Sequence, residues 1–298
     1  MHRGGREGVH MIGVTGATGN LGRIVVEVLR ERAGEVLAFG REQADYDKPS
    51  TLAEAFHGVS RLLFISSPEL DPGRRTAQHL AVVGAAAEAG VEAVVYTSFH
   101  RIPGIFAVHG LTEDAIAASG MAYSILRNPF YTEPFVAAAP THSAGGHTAG
   151  GRSVEGPTHS SRGRSVEGST HSAGGRSAGE LTHSAGGQSA GGQPAGGESV
   201  GELTHATGGQ PLNTAYRADL AEAAAGALLS DRIANRTYEL NGPLWTFPEL
   251  AASRGTTARE GEVAGPMGWL HGFAKAGALA TQTPDLEELL GRPARAPR

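Results

Sequence analysis

The chain of 298 residues contains no cysteine and few aromatic residues. The absence of cysteine excludes disulfide bonds, thiolate catalysis and cysteine-ligated zinc. No apolar run approaches the roughly 20 residues that a helical membrane span requires. The net charge of −5 offers no basic surface for nucleic acid or an anionic membrane. We therefore expect a cytoplasmic protein that has neither nucleic acid nor a membrane as a partner, and the composition leaves its oligomeric state open.

Large apolar residues are also scarce at the start and in the middle of the chain. Residues 1–10 are basic and no apolar region follows them, so we predict a disordered leader rather than a secretory signal. Residues 141–210 are rich in Gly, Ser, Thr and His, and a degenerate unit near THSAGGRSxGE recurs in them. Because this segment has almost no apolar side chains to bury, we predict a long disordered low-complexity insertion. Its histidines have no scaffold and no carboxylate partners, so we expect no metal site.

A strand, a glycine-rich turn and a helix follow one another after Met11. MIGVT is typical of a buried parallel strand, and RIVVEVLRER places apolar side chains at helical spacing. Gly16, Gly19 and Gly22 lie at the turn between them. Gly16 permits a tight turn, Gly19 lets the backbone approach a pyrophosphate at the helix N-terminus, and Gly22 allows close packing of helix on strand. The pattern predicts a dinucleotide site.

Strands alternate with helices over the rest of the first half of the chain. Strand-like runs at 61–66, 92–98 and 122–128 alternate with helical runs at 76–90 and 112–120. This alternation predicts an α/β fold, with a Rossmann-like parallel sheet and helices on both faces. Ligands of such sheets bind beyond the carboxyl ends of the strands. The candidate binding residues at that edge are Ser66, Ser67, Pro68, Thr97, Ser98, Phe99, Asn128, Phe130 and Tyr131.

The chain returns to a folded pattern after the insertion. Asp219 and Glu222 resemble a capping box at the start of LAEAAAGALL, and RTYELNG (236–242) is strand-like. Trp245 and Phe247 are expected in the core, and the tail MGWLHGFAKAGALA has the apolar spacing of a packed helix. The predicted boundaries are 1–10 for the leader, 11–140 for the Rossmann domain, 141–210 for the insertion and 211–298 for a smaller C-terminal part.

Several blocks of the chain, taken in order, resemble one known family. The blocks are MIGVTGATGNLG, ADYDKPSTLAEAF, LLFISSPE, VVYTSF, ASGMAYSILRNPFYTE, RADLAEAAAGAL, YELNGPLWTFPELA and LEELLGRPA. They resemble the NmrA-like atypical short-chain dehydrogenases, in particular the NAD(P)H:quinone oxidoreductase type, over residues 11–134 and 212–293. The resemblance implies that the C-terminal part belongs to the same domain and closes over the nicotinamide. It also implies hydride transfer from NADPH to a quinone-like or small carbonyl substrate.

The resemblance places the cofactor residues one at a time. Arg41 falls where the family has an arginine that faces the 2′-phosphate of NADPH. A guanidinium group pairs with a phosphate, whereas an acidic residue would favour a ribose hydroxyl group, so NADPH is expected in preference to NADH. Asp45 matches an aspartate near the adenine. The other matching positions are Gly16, Thr18, Gly19, Asn20, Leu21, Gly22, Ser66, Ser67, Thr97 and Ser98.

The same resemblance places the substrate pocket and two catalytic candidates. The residues expected to line the pocket are Phe99, Asn128, Phe130 and Tyr131. Tyr131 is also a catalytic candidate. His109, the second candidate, matches a family histidine just before the helix that ends at Gly120. For this histidine a hydrogen-bonded structural role is favoured over proton transfer.

The Tyr-x-x-x-Lys pair of ordinary short-chain dehydrogenases is absent. Tyr96 and Tyr123 are followed four residues later by His100 and Arg127, neither of which is lysine. Hydride transfer to a quinone requires less from such a pair, because a hydroquinone anion is an acceptable product. A quinone-like substrate is therefore compatible with the sequence.

Two departures from the family leave a second function open. Too few residues separate the strand that ends near Phe39 from Asp45 for the family's helix and third strand, so one edge strand is expected to be missing. Residues 141–210 stand where the family has a cover over the substrate pocket, so the substrate is expected to lose an apolar wall. A non-catalytic NAD(P)-binding sensor or a decayed enzyme is therefore the alternative to an active reductase.

Overall fold

The structure is a computed structural model, and it describes residues 10–102, 106–137 and 201–298. Nearly all of the predicted leader and most of the predicted insertion lie outside these residues. The strands described are β1 Ile12–Thr15, β2 Leu37–Phe39, β3 Arg61–Ile65, β4 Ala93–Phe99, β5 Ala122–Asn128, β6 Glu202–His205, β7 Arg236–Glu239 and β8 Thr257–Glu260. The helices described are α1 Asn20–Ala33, α2 Pro49–Ala55, α3 Pro72–Glu88, α4 Ala107–Ala118, α5 Glu133–Ala137, α6 Arg217–Leu229, α7 Phe247–Ser253, α8 Gly265–Lys275 and α9 Asp285–Leu290.

Six of the described strands form one parallel sheet in the order β2-β1-β3-β4-β5-β7. In β1, Gly13 is opposite Leu37 of β2 on one side and opposite Leu62 of β3 on the other. The chain therefore moves outward from β1 to β2 and returns past β1 to β3. Ligands of open parallel sheets bind at such a reversal, beyond the carboxyl ends of the strands. The predicted Rossmann-like fold is confirmed.

A turn follows β2 at its edge of the sheet, where a further strand could have paired. Within the described part of the chain, β2 has no outer neighbour and one helix, α2, connects it to β3. This agrees with the predicted loss of an edge strand. Tyr46, in the turn after β2, fixes the connection: its hydroxyl group lies 2.6 Å from Thr15 Oγ1 and 2.7 Å from the carbonyl oxygen of Ile65. The ring of Tyr46 packs edge-on against Phe64.

Helices cover both faces of the sheet, as predicted. α1, α6 and α9 pack together on one face, and α2, α3 and α4 pack together on the other. Successive residues of a strand point to opposite faces. Leu63 of β3 therefore packs against the first group, and its neighbours Leu62 and Phe64 pack against the second. Burial on both faces explains why the central strands are continuous apolar runs.

Two helices begin earlier than predicted. α3 begins at Pro72, because Asp71 accepts a hydrogen bond from the backbone N–H of Arg74 (2.7 Å) and proline suits the first helical position. α4 begins at Ala107, so His109 lies in its first turn and not before the helix. No described side chain caps α4, so the sequence carries no local signal for its start.

The predicted capping box at Asp219 and Glu222 is not formed. α6 begins at Arg217, which places Asp219 in the first turn. The Asp219 carboxylate is buried and accepts hydrogen bonds from Arg292 (2.8 Å) and from the backbone N–H of Arg295 (2.7 Å). Glu222 also binds Arg292. The two acids anchor the C-terminal segment, and Asp219 still complements the positive end of the helix dipole.

The structure corrects the end of the predicted insertion. Residues 202–205 form β6, which pairs in parallel with β8. Leu203 and His205 are buried, and the residues between and before them are exposed. The His205 ring stacks on Phe247 with a centroid distance of 5.1 Å. This short alternation becomes a strand because β8, far along the chain, supplies its hydrogen-bond partner, which the composition of the segment does not reveal.

Trp245 and Phe247 are buried in a third core cluster of the C-terminal part, as predicted. α7 starts there with a true capping box: Thr246 accepts from the backbone N–H of Glu249, and the Glu249 carboxylate accepts from the backbone N–H of Thr246 (2.7 Å). The predicted tail helix is α8.

Candidate functional site

The glycine-rich loop between β1 and α1 has the backbone geometry of an anion site. Gly16 has a φ of +62°, a conformation that favours glycine, and its carbonyl oxygen accepts a hydrogen bond from Gly19 (3.0 Å). A Cβ atom at Gly22 would overlap the carbonyl oxygen of Gly16, so only glycine allows α1 this close to the turn. Gly19 is the N-cap of α1, and no described side chain caps the helix. The first N–H groups of α1 and the helix dipole are therefore available to a phosphate.

The end of β2 brings Gly40 against this loop, and Arg41 follows it in the chain. Gly40 follows β2 and lies against Thr18: a Cβ atom at Gly40 would be 3.0 Å from Thr18 Cγ2. The side chain of Arg41, the next residue, is 76% exposed. Its Nη2 lies 3.4 Å from Asp47 Oδ2, and its Nε lies 3.8 Å from Asp45 Oδ1. Because exposed ion pairs contribute little, a phosphate can compete with both carboxylates for Arg41.

A cavity of about 440 Å³ opens between the loop, α1 and the end of β2. Thr18, Gly40 and Gln43 form one side of it, and Arg23 and Glu27 of α1 form another. Gln43 accepts a hydrogen bond from the backbone N–H of Gly40 (3.0 Å), which fixes the turn. The volume is within the range of small-molecule sites, about 300–1,000 Å³. It lies where the sequence places the adenosine end of a dinucleotide.

Hydroxyl groups at the ends of β3 and β4 are already engaged in hydrogen bonds with other residues of the protein. Ser67 Oγ donates to Gln78 Oε1 (2.5 Å). Thr97 Oγ1 accepts a hydrogen bond from the backbone N–H of Ser66 (3.0 Å), which joins the two strand ends. The cofactor contacts of these residues stay predictions. Since the hydroxyl groups are engaged, we expect the backbone at the sheet edge to make such contacts more than the side chains.

Ser98 belongs to a buried ion-pair cluster beneath the same edge. Arg127 donates from Nε and Nη2 to the two carboxylate oxygens of Glu113 (2.9 and 2.6 Å) and from Nη1 to Glu239 (2.6 Å). The hydrogen bonds to Glu113 are the largest cause of the raised pKa of Arg127. Ser98 Oγ donates to Glu113 Oε1 (2.5 Å). Arg127 therefore connects α4, β5 and β7 through these ion pairs. It is the residue four positions after Tyr123.

His109 lies in a buried hydrogen-bond network. Its Nε2 accepts from Arg75 (3.1 Å), which can only donate, so Nδ1 carries the proton and donates to the Tyr96 hydroxyl group (2.8 Å). His79 Nε2 accepts from the backbone N–H of Ser67 (3.0 Å). Burial lowers the pKa of both histidines to about 3, so both are neutral at physiological pH. Both ring nitrogens of His109 are occupied, which favours the structural role over proton transfer.

Aromatic side chains form an apolar cluster beyond β4 and β5. Phe99 and Phe130, both predicted pocket residues, pack with a centroid distance of 5.0 Å. Trp269 and Phe273 of α8 lie 6.2 and 6.4 Å from Phe130. Most of residues 141–210, which stand where the family has its cover, lie outside the described residues, so the expected loss of that apolar wall stays a prediction. α8 contributes apolar surface next to Phe130. Trp269 and Phe273 recur at helical spacing in the tail, a signal that the sequence analysis assigned only to packing.

Polar side chains meet where β5 ends and α6 begins. Asn128 is buried and its Oδ1 has no hydrogen-bond partner among the described residues. The guanidinium group of Arg217 lies 4.2 Å from the centre of the Tyr131 ring. Glu133 Oε1 accepts a hydrogen bond from the backbone N–H of Arg217 (2.9 Å). Burial raises the pKa of Tyr131, so its phenol is protonated at neutral pH. Arg217 and Glu133 were not predicted as site residues, although both lie in blocks that carry the family resemblance.

The described residues contain no group of three or more His, Asp or Glu side chains that could hold a metal ion. None of the described helices is both long and apolar enough to span a membrane.

Two curated proteins are similar in sequence to part of this chain. Quinone oxidoreductase 2 of Escherichia coli is 38% identical over 151 residues, which cover 44% of this chain and 52% of that protein. An NmrA-like family domain-containing oxidoreductase of Aspergillus flavus is 31% identical over 149 residues, covering 41% of this chain and 48% of that protein. The chain thus spans about half the length of the curated relatives it matches. No family model matches the chain.

Solved structures match over nearly the whole chain. The Citrobacter triphenylmethane reductase is 26% identical with a TM-score of 0.70, and 96% of each chain is covered. The NADPH-dependent quinone oxidoreductase of Escherichia coli, solved in complex with NADPH, is 26% identical with a TM-score of 0.67 and the same coverage. These findings confirm the resemblance that the sequence blocks indicated.

Proposed function

We propose that this chain, whose relatives are NmrA-like and quinone oxidoreductases, binds NADPH and reduces a quinone-like or other small carbonyl substrate by hydride transfer. The observation that carries the proposal is the loop Gly16–Gly22, which leads into an uncapped α1 at the carboxyl edge of a Rossmann-like sheet. A relative of similar fold was solved in complex with NADPH, and a second is named a triphenylmethane reductase. The dihydronicotinamide, when bound, supplies the hydride.

The described residues fit such a cofactor. The N–H groups at the start of α1 suit the pyrophosphate, since a Cβ atom at Gly22 would fill the space that the turn requires. Arg41, exposed and weakly paired, suits the 2′-phosphate. Asn128 Oδ1, a buried acceptor without a partner, suits an amide N–H donor such as that of the nicotinamide carboxamide.

The chain contributes orientation and exclusion of water to the reaction. Phe99 and Phe130, with Trp269 and Phe273 of α8, supply apolar surface for a flat aromatic substrate. The sequence lacks the Tyr-x-x-x-Lys pair, and Tyr96 is buried against His109 with a raised pKa, so it does not suit proton donation. A substrate whose reduced form is stable as an anion therefore fits this site best.

A stopped-flow experiment tests the proposal. NADPH is bound first, as followed by nicotinamide fluorescence, and a 1,4-benzoquinone is then mixed in while the absorbance of the reduced nicotinamide is recorded. We expect binding followed by oxidation in a single turnover. Gly22→Ala should weaken NADPH binding because the new methyl group overlaps Gly16, whereas Gly84→Ala, a helical glycine with open space around it, should not. Equal binding by both variants would remove the proposed phosphate site.

A non-catalytic NAD(P)-binding sensor is the second candidate. It is favoured by the engagement of His109 at both ring nitrogens and by the hydrogen bonds that already occupy Ser67 and Ser98. The same experiment separates the two functions. A sensor would bind NADPH and leave it reduced when the quinone is added.

A further inference from the structure

Buried polar atoms without hydrogen-bond partners cluster beyond β5. Asn128 Oδ1, Glu133 Oε2 and Arg217 Nε are three of the five such side-chain atoms in the described residues. Residues 130–132 and 215 are joined by backbone hydrogen bonds, from Ala215 N to Phe130 O and from Thr132 N to Ala215 O. The three atoms therefore belong to adjacent segments. Because buried polar groups are nearly always paired, their clustering indicates a ligand that supplies the missing partners.

Arg217 stands at the edge of the sheet where ligands bind. It is the first residue of α6, and the far end of that helix lies at the opposite edge, where Arg61 at the start of β3 donates to the carbonyl oxygens of Leu228 (2.8 Å) and Ser230 (2.7 Å). Its side chain is about one-fifth exposed. The positive end of the α6 dipole adds to the charge of the guanidinium group.

The guanidinium group is held in place and still has a free donor. It lies over the Tyr131 ring, and the Glu133 carboxylate that binds its backbone N–H has Oε2 3.5 Å from Nη1. These contacts with the ring and the carboxylate restrict the position of the guanidinium group. Nε has no acceptor among the described residues. A fixed cation with a spare N–H suits an anionic oxygen.

We propose that Arg217 stabilises the negative charge that forms on the substrate oxygen, an inference that rests on the proposed function. Hydride transfer breaks a C–H bond of the dihydronicotinamide, oxidises it, and adds the hydrogen and two electrons to the quinone. The quinone becomes a hydroquinone monoanion, which takes a proton from water afterwards. Nε–H of Arg217 is the donor to that oxygen, and it compensates for the absent acid pair.

The test compares variants of two arginines that both lie over tyrosine rings. Arg217→Met removes the charge at the site. Arg236→Met is the matched control, because Arg236 lies 4.4 Å from the Tyr238 ring and pairs with Asp285 in the body of the fold. Arg217→Lys keeps the charge without the planar fork. NADPH affinity, melting temperature and single-turnover oxidation by a series of methylated to halogenated 1,4-benzoquinones are measured for each variant.

We expect Arg217→Met to bind NADPH within about threefold of the wild type and to lose about 10- to 100-fold in the oxidation rate with methylated quinones. The loss should shrink with halogenated quinones, whose hydroquinones are more acidic and require less stabilisation. Arg217→Lys should recover part of the rate, and Arg236→Met should match the wild type. A loss equal for all quinones, or no loss, would overturn the role of Arg217. A wild type that binds NADPH but oxidises none would instead overturn the proposed function, and the inference with it.

Discussion

Single residues decide which cofactor this site can accept. Gly22 and Gly16 shape the turn before α1, and this geometry was predictable because it depends on local backbone. Arg41 was placed by the family resemblance, and its contact with a cofactor phosphate stays a prediction. Arg217 and Glu133 were not predictable, because the contact between them depends on the fold bringing α6 to the end of β5.

We predict that Arg41→Ala weakens NADPH binding about tenfold and leaves NADH binding unchanged. A charged hydrogen bond to phosphate contributes roughly 1.5–3 kcal/mol, and the exposure of Arg41 and its pairing with Asp45 and Asp47 place the effect at the lower end. Fluorescence titration with both nucleotides measures it. Arg232→Ala is the control, since Arg232 is an exposed arginine in the segment between α6 and β7. Equal NADPH and NADH affinities in the wild type would contradict the assignment of Arg41.

At the scale of elements, local sequence signals predicted most of the strands and helices. The features that were missed depend on caps or on partners distant in the sequence. β5 was predicted at 122–128 and is found there, because it is an apolar run bounded by Gly120 and a proline. α4 began earlier than predicted because no side chain caps it. β6 was missed because its partner β8 is distant in sequence. The aromatic face that α8 presents to Phe130 was missed for the same reason, since packing partners cannot be read from spacing alone.

The pairing of β6 with β8 leads to a stability prediction. Leu203→Ala should lower the free energy of unfolding by about 2–4 kcal/mol, because Leu203 is buried in the third core cluster and truncation leaves a cavity. Glu202→Ala, the neighbouring exposed residue, should change it by less than about 0.5 kcal/mol, since its ion pair with Arg259 is at the surface. Urea denaturation measures both. Equal small effects would show that β6 does not pack, as the insertion was first expected to behave.

At the scale of the whole molecule, buried histidines couple stability to pH. The pKa of His79 and of His109 is about 3 in the folded protein, against about 6.5 in an unfolded chain, because burial disfavours the charged form. The unfolded state therefore binds more protons between these values. Stability is fully present above pH 6.5 and is lost as the pH falls toward 3.

We predict that lowering the pH from 7 to 5 reduces the free energy of unfolding by up to about 2 kcal/mol for each of these two histidines. His109→Gln keeps hydrogen-bonding capacity without titrating. It should reduce the loss of unfolding free energy between pH 7 and 5 by the contribution of one histidine, up to about 2 kcal/mol. His57→Gln is the control, because His57 is exposed. Urea denaturation at the two pH values measures the change. An unchanged slope in His109→Gln would show that His109 is protonated in the folded state.

The activity that we propose for the whole molecule is hydride transfer from NADPH to a quinone-like acceptor. The most direct test is single-turnover oxidation of bound NADPH by a benzoquinone, with NADPH carrying hydrogen or deuterium at the transferred position of the nicotinamide. We expect the protein-bound cofactor to be oxidised faster than free NADPH, and the deuterated cofactor to react more slowly. Oxidation at the rate of free NADPH, or a bound cofactor that stays reduced, would contradict the account.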